Sequence, residues 1–168
     1  MVIYFFPSRP FKRVEFLIFF LIFLFSAASP TGQKKTAVLT GLDVVVASEF
    51  SEFRGKRVGI ITNQTGIDGM GRHIVDLFYE KKSVALAALF GPEHGLRGEL
   101  EGGAKIATHV DPKTGVRIYS LYGETQRPTP EMLKNLDVLI FDIQDVGARF
   151  YTYISTMALA MEAAAEAG

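Results

Sequence analysis

The stretch Asp137-Val138-Leu139-Ile140-Phe141-Asp142 decides the fold, because it is the most strand-like segment of the 168-residue chain. Its four central residues are all apolar, and a continuous apolar run is typical of a strand buried on both faces of a parallel sheet. Three similar runs precede it in the chain, at residues 57–63, 83–90 and 116–121. We therefore expect four buried strands.

Helical patterns alternate with these strands. Residues 73–82 carry apolar side chains at helical spacing, and Thr129-Pro130 has the N-cap threonine and first-turn proline of a short helix that ends near Asn135. Strands that alternate with helices predict an α/β fold, a parallel sheet covered by helices on both faces over residues 41–168. A long final helix is predicted to end at Gly168, with five apolar residues on one face: Phe150, Ile154, Met157, Met161 and Ala164.

Residues 1–28 have the order of features of a secretory signal peptide. Basic residues come first, an apolar run of ten follows at residues 16–25, and Ser26-Ala27-Ala28 supplies small residues for cleavage. The run is shorter than the roughly 20 residues of a transmembrane helix, and an uncleaved membrane anchor is the alternative. We therefore expect an exported protein, periplasmic or secreted, that contacts a membrane only if residues 1–28 form a signal-peptide helix that is not cleaved. Residues 29–40 are predicted to be a polar linker.

The composition excludes several classes of function. Lys and Arg together number 18, and so do Asp and Glu, so the net charge is zero. This balance argues against a nucleic-acid-binding protein that relies on a general basic surface. The chain has no Cys, which excludes disulfides, cysteine nucleophiles, iron–sulfur clusters and a lipid-modified N-terminal cysteine.

Polar clusters follow three of the predicted strands, at the point where each strand ends. Residues 63–66 follow the first strand, residues 91–98 follow the second, and residues 142–149 follow the fourth. Ligands of parallel α/β sheets bind outside the carboxyl ends of the strands. We therefore expect the three clusters to line one binding cleft.

Glu93 lies in the most distinctive cluster, Gly91-Pro92-Glu93-His94-Gly95. The proline and the two glycines predict a fixed backbone path around the Glu-His pair. A carboxyl group at the mouth of an apolar sheet is suited to general acid catalysis, with His94 to orient it. The alternative is a tight turn that carries a solvated Glu-His pair.

Two carboxylates and a guanidinium follow the fourth strand. Asp142 has two possible roles, capping the backbone amides of the next helix or catalysis. Asp145 is the better candidate for contact with a ligand or with Glu93, and it is our choice for a second catalytic carboxylate. Arg149 and Arg97 are candidates for holding a substrate carboxylate, and a structural role is the alternative for each.

Neutral and aromatic side chains complete the predicted cleft. Asn63 and Gln64 offer donors and acceptors that suit sugar hydroxyls. Four tyrosines are candidates for stacking on sugar rings or for ordinary packing: Tyr119, Tyr122, Tyr151 and Tyr153. The nearby acidic and histidine residues match no metal-ligand signature. The glycines after the first strand do not complete a dinucleotide-binding loop. The sequence therefore predicts no metal and no cofactor.

Four segments together resemble the NamZ-type exo-beta-N-acetylmuramidase family over about residues 41–168. They are GIITNQTG at residues 59–66, LFGPEHGLRG at 89–98, YSLYGETQRPTP at 119–130 and FDIQDVGARFYTY at 141–153. The resemblance implies a Rossmann-like catalytic domain. It also implies a glycosidase that releases N-acetylmuramic acid from the non-reducing end of peptidoglycan fragments, its expected partners. Glu93 matches the proposed catalytic acid of the family.

The resemblance also bears on domain organisation. Family members continue into a second domain that helps close the cleft, whereas this sequence ends at Gly168. The expectation is therefore an N-terminal part of such an enzyme, with the sheet incomplete at its C-terminal end and the second domain absent. Two alternatives are a muropeptide-binding fragment without catalytic activity and, less favoured, a metal-dependent hydrolase that uses the same acidic residues.

Overall fold

The computed structural model describes residues 38–98 and 107–168. The predicted signal peptide and most of the predicted linker lie outside these residues. Within the described ranges, no helix is both long enough and apolar enough to cross a membrane.

Five strands and four α-helices make up the described part of the chain. The strands are β1 (Arg57–Thr62), β2 (Ala85–Gly91), β3 (His109–Val110), β4 (Arg117–Ser120) and β5 (Val138–Asp142). The α-helices are α1 (Gly41–Ala47), α2 (Ile74–Glu80), α3 (Pro130–Leu133) and α4 (Tyr153–Ala167), and a single 3-10 turn spans Ser51–Phe53. All four predicted strands are confirmed within two residues at either end.

The strands form one sheet in the order β3-β4-β2-β1-β5. The pairs β1–β2, β1–β5 and β2–β4 are all parallel, which confirms the predicted parallel sheet. The short strand β3 pairs antiparallel with β4 across the turn at residues 111–115. Sequence analysis did not predict β3, because two residues are too few to show an apolar pattern.

Helices cover both faces of the sheet, as predicted. On one face, α1 and α2 bury Leu42 and Phe78 against Val58 and Ile60 of β1. On the other face, small residues of α4 pack with Ile61 of β1. Alternate residues of β1 therefore point into two separate cores, which explains why its apolar run is continuous.

The predicted buried face of α4 is wrong. Phe150 is 83% exposed and Met161 is 65% exposed, and Ile154 is also exposed. The buried positions are those of mostly smaller residues, Tyr153, Thr156, Ala160 and Ala163. Small side chains let the helix axis approach the sheet closely, whereas the prediction favoured the largest apolar side chains.

Candidate active site

The turn after β1 is built around Asn63, which is fully buried. Its Oδ1 accepts hydrogen bonds from the Thr65 backbone N–H at 2.9 Å and from Thr65 Oγ1 at 2.6 Å. These two bonds fix the amide orientation, because Oδ1 must face the two donors. Among the described residues, Nδ2 is buried with no hydrogen-bond partner. The Asn63 side chain lies near Tyr153, where it partly opposes the rise in the pKa of that phenol.

His73 ties this turn to the helix that follows it. Its Nε2 lies 2.9 Å from the carbonyl oxygen of Asn63, and its Nδ1 lies 3.4 Å from the backbone N–H of Val75. Nε2 therefore donates and Nδ1 accepts, which is the pattern of a neutral imidazole that caps α2. Burial lowers the pKa of His73 and favours the same neutral form. The sequence offered one signal for this role, the position of His73 just before an apolar helical pattern.

The turns after β1 and β5 are joined by hydrogen bonds. Thr62 Oγ1 donates to the carbonyl oxygen of Asp142 at 2.7 Å, and the Gln144 backbone N–H donates to Thr65 Oγ1 at 2.8 Å. Only glycine fits at position 66, because a Cβ there would lie 2.2 Å from Thr62 Oγ1. Two of the three predicted clusters are therefore adjacent at the carboxyl edge of the sheet.

A polar cavity of about 260 Å³ lies between these two turns, lined in part by Thr65, Asp142 and Asp145. Burial raises the pKa of Asp142, and the nearby His73 opposes this shift. Asp145 is exposed, and its Oδ1 accepts a hydrogen bond from the Gly147 backbone N–H at 2.6 Å. Asp145 thus shapes its own loop and presents the rest of its carboxylate to solvent.

The turn after β2 fixes the backbone at Glu93. His94 and Gly95 have φ values of 71° and 79°, and the Gly95 N–H donates to the Pro92 carbonyl oxygen at 3.0 Å. A Cβ on Gly91 would lie 3.3 Å from the backbone nitrogen of Leu96, so the turn folds closely on itself. A histidine with positive φ is uncommon and costs about 1–3 kcal/mol. Such backbone strain is concentrated at functional sites.

Two hydroxyl groups, those of Thr152 and Tyr122, contact the Glu93 carboxyl group. Thr152 Oγ1 donates to Glu93 Oε2 at 3.4 Å. A hydrogen bond between the Tyr122 hydroxyl and Glu93 raises the pKa of Tyr122. Burial is the main cause that raises the pKa of Tyr153, and the nearby charge of Glu93 adds to it. The structure therefore groups Glu93 with Tyr122, which follows β4, and with Thr152 and Tyr153 at the start of α4. Sequence analysis had selected both tyrosines as candidates for sugar stacking, but not Thr152.

The Arg97 guanidinium is paired with two aspartates. Its Nη2 lies 3.0 Å from Asp76 Oδ1 and 3.2 Å from Asp111 Oδ2, and Asp111 is 1% exposed. Burial by itself would raise the pKa of Asp111, but hydrogen bonds from Arg97 and Thr114 outweigh it, and the pKa is lowered. Of the two roles expected for Arg97, these ion pairs favour the structural one.

The other predicted binding residues lie nearer to solvent. Gln64, Arg149 and Tyr151 are exposed, and the Gln64 side chain lies against Gly98, where a Cβ would approach it within 2.9 Å. The turns after β1 and β2 are therefore in contact. Within residues 38–98 and 107–168, no three His, Asp or Glu side chains are grouped so that they could hold a metal ion.

Comparisons with known proteins show the family of this chain. The family model described as "Exo-beta-N-acetylmuramidase NamZ, N-terminal" matches residues 58–168. A Bacillus subtilis (strain 168) protein named peptidoglycan beta-N-acetylmuramidase NamZ is 52% identical over 147 residues, which are 85% of this chain and 36% of that protein.

Two crystal structures of DUF1343 family proteins from Bacteroides fragilis NCTC 9343 have the same fold. One is 51% identical with a TM-score of 0.70, and the other is 39% identical with a TM-score of 0.63. They cover 77% and 78% of this chain, and the chain covers 32% of each. The chain thus spans about a third of the length of these relatives. It belongs to the NamZ family of exo-beta-N-acetylmuramidases, and residues 58–168 correspond to the family's N-terminal part.

Proposed function

We propose that this chain carries the catalytic acid of an exo-acting glycosidase that releases N-acetylmuramic acid from the non-reducing end of peptidoglycan fragments. The placement of Glu93 is the observation that supports it most. Glu93 lies at the carboxyl edge of a parallel sheet, on a turn with positive φ at His94, and hydroxyl groups contact its carboxyl group. The name of the Bacillus subtilis relative supports the same reaction.

In the proposed reaction, Glu93 donates a proton to the glycosidic oxygen as the bond from that oxygen to C1 of the muramic acid breaks. Water supplies the hydroxyl group at C1, and its other proton passes to a carboxylate. Glycosidases usually use two carboxyl groups for these two tasks. Asp145 is our proposed second carboxylate, because it is exposed in the turn after β5, at the same carboxyl edge of the sheet as Glu93, and His94 is the residue proposed to orient Glu93.

Recognition of the sugar is assigned to the residues around this edge. Gln64 offers a neutral hydrogen-bonding side chain and Tyr151 an aromatic surface, and both are exposed. Asn63 and Tyr153 are buried, so they support this edge from beneath. Muramic acid carries a lactyl carboxylate, which a guanidinium recognises well. Arg149 is our proposed partner for this group, because it is exposed in the segment between β5 and α4, whereas Arg97 already pairs with two aspartates.

The proposed substrate agrees with an exported enzyme, since peptidoglycan lies outside the cytoplasmic membrane. We infer export from the basic, apolar and small residues within positions 1–28. N-terminal sequencing of the protein recovered from the expressing cells should give a mature chain that starts near residue 29. A mature protein that still begins at Met1 would contradict cleavage.

The proposed function is tested by comparing two chromogenic glycosides, one of N-acetylmuramic acid and one of N-acetylglucosamine. The two sugars differ only by the lactyl ether, so a preference of about tenfold or more for the first shows that this group is recognised, since tenfold corresponds to about 1.4 kcal/mol. Release from neither glycoside, with binding of muropeptides intact, would instead support the alternative of a binding fragment.

A further inference from the structure

Helix α4 begins differently from the other helices of the described ranges. In α1, α2 and α3, the N-cap side chain accepts a hydrogen bond from the first turn, and these N-caps are Thr40, His73 and Thr129. Helix α4 also has a threonine at its N-cap, Thr152, but that side chain makes no capping hydrogen bond. A threonine cap is worth about 0.5–2 kcal/mol, so the start of α4 lacks a stabilising contact that its residue type can make.

The Thr152 hydroxyl instead faces Glu93. Its Oγ1 lies 3.4 Å from Glu93 Oε2, a long hydrogen bond of the kind that often shortens when substrate binds. The Thr152 backbone is held in place, since its carbonyl oxygen accepts hydrogen bonds from the Thr156 N–H at 3.0 Å and from Thr156 Oγ1 at 3.2 Å. The hydroxyl is therefore presented to Glu93 from a fixed helix end.

Tyr122, two residues beyond the end of β4, contacts the same carboxyl group. The Tyr122 N–H donates to Ser120 Oγ at 3.1 Å, and the Leu121 N–H donates to the Gly91 carbonyl oxygen at 2.9 Å. These bonds anchor the residues after β4 to the end of β2, two residues before Glu93. The Tyr122 hydroxyl hydrogen bonds to Glu93.

We propose that Thr152 is a positioning residue for Glu93, and that its hydroxyl acts with that of Tyr122 as a clamp on the carboxyl group. The clamp rests on the proposed role of Glu93 as the acid. The two hydroxyl contacts come from different elements, so together they hold the carboxyl group in one orientation. That orientation sets where its proton is presented to the glycosidic oxygen.

The variants Thr152→Val and Thr152→Ser test this role. Valine keeps the shape of threonine and removes the hydroxyl, so kcat should fall about tenfold with KM nearly unchanged, as expected for the loss of about 1.4 kcal/mol from one hydrogen bond. Serine keeps the hydroxyl and should restore most of kcat. The Tm of Thr152→Val should stay at the wild-type value, because the hydroxyl caps nothing.

Thr129→Val is the matched control. The Thr129 side chain does cap its helix, accepting from the Met132 N–H, and it lies outside the proposed site. This variant should lower Tm and leave kcat unchanged. The two threonine-to-valine changes thus have opposite expected effects, although both remove the same hydroxyl from a helix N-cap.

A second measurement does not depend on activity. The ¹³C NMR signal of the Glu93 carboxyl carbon should shift in Thr152→Val, return in Thr152→Ser, and stay unchanged in Thr129→Val. If the wild-type chain releases no sugar, the proposed function fails, and this signal still tests the clamp. An unchanged Glu93 signal in Thr152→Val, or a fall in Tm equal to that of Thr129→Val, would overturn the proposal.

Discussion

Replacing Glu93 by Gln is expected to lower kcat by about a hundredfold or more, because an amide cannot donate the proton that the leaving oxygen needs. The side chains have nearly the same shape, so the fold should be retained. The measurement is kcat for sugar release, together with thermal unfolding of both proteins. Glu131→Gln is the matched control, since Glu131 is exposed in the first turn of α3 and pairs with Lys134.

The same variant has an effect that does not require turnover. The hydrogen bond to Glu93, with its negative charge, raises the pKa of Tyr122. Removal of that charge in Glu93→Gln should therefore let Tyr122 ionise at a lower pH, which ¹³C NMR of the tyrosine ring carbons can follow. Near-normal kcat in Glu93→Gln would exclude Glu93 as the catalytic acid, whether or not the pKa of Tyr122 changes.

Arg97→Met is expected to be the most destabilising single change outside the apolar core. It leaves the Asp111 carboxylate buried without its cation, and breaking such a pair costs about 3–5 kcal/mol of unfolding free energy. The loss should lie near the lower end of this range, because the Arg97 side chain is itself 23% exposed. Chemical denaturation of both proteins at neutral pH measures it.

The pH dependence of this loss has a definite sign. The pKa values of Asp76 and Asp111 are both lowered in the folded protein, burial being outweighed by hydrogen bonds that include those from Arg97. Their stabilisation is therefore present above the ordinary aspartate pKa of about 3.9 and is lost as the pH falls through the lowered folded values. The difference between Arg97→Met and wild type should shrink over that acidic range.

Lys113→Met provides the control for this charge cluster. Lys113 also pairs with Asp76, but its side chain is 61% exposed, and exposed ion pairs contribute only about 0–1 kcal/mol. A stable Arg97→Met protein with a raised KM for the muramic acid glycoside would contradict the structural role and favour contact with the substrate carboxylate.

The parallel sheet was predictable because its strands are continuous apolar runs. Residues 57–62 and 138–142 are buried or half-buried along nearly their whole length, so their pattern is local and strong. The start of the domain was harder to predict. Helix α1 is only seven residues long, which is too short to show a clear apolar periodicity. Its main local signal is the reciprocal hydrogen bonding between the N-cap residue Thr40 and Asp43. The buried face of α4 was mispredicted because the helix packs against its core through small residues such as Ala160 and Ala163, whereas the prediction placed the largest apolar side chains there.

The site was partly predictable for a similar reason. Glu93 is identifiable because a proline and two glycines, all within two positions of it, constrain the backbone around it. The direction of the Thr152 hydroxyl could not be predicted, because Thr152, the N-cap of α4, lies 59 positions beyond Glu93. The partners of Arg97 were missed likewise, since Asp76 and Asp111 lie 21 and 14 positions away from it.

The most direct test of the central claim is product analysis on a short glycan whose non-reducing end is N-acetylmuramic acid. The purified chain is incubated with this glycan, and the products are identified by mass spectrometry over time. We predict free N-acetylmuramic acid as the first product, a glycan shorter by that one residue, and neither product with Glu93→Gln. Internal cleavage without free N-acetylmuramic acid, or equal release by the Glu93→Gln protein, would contradict the account.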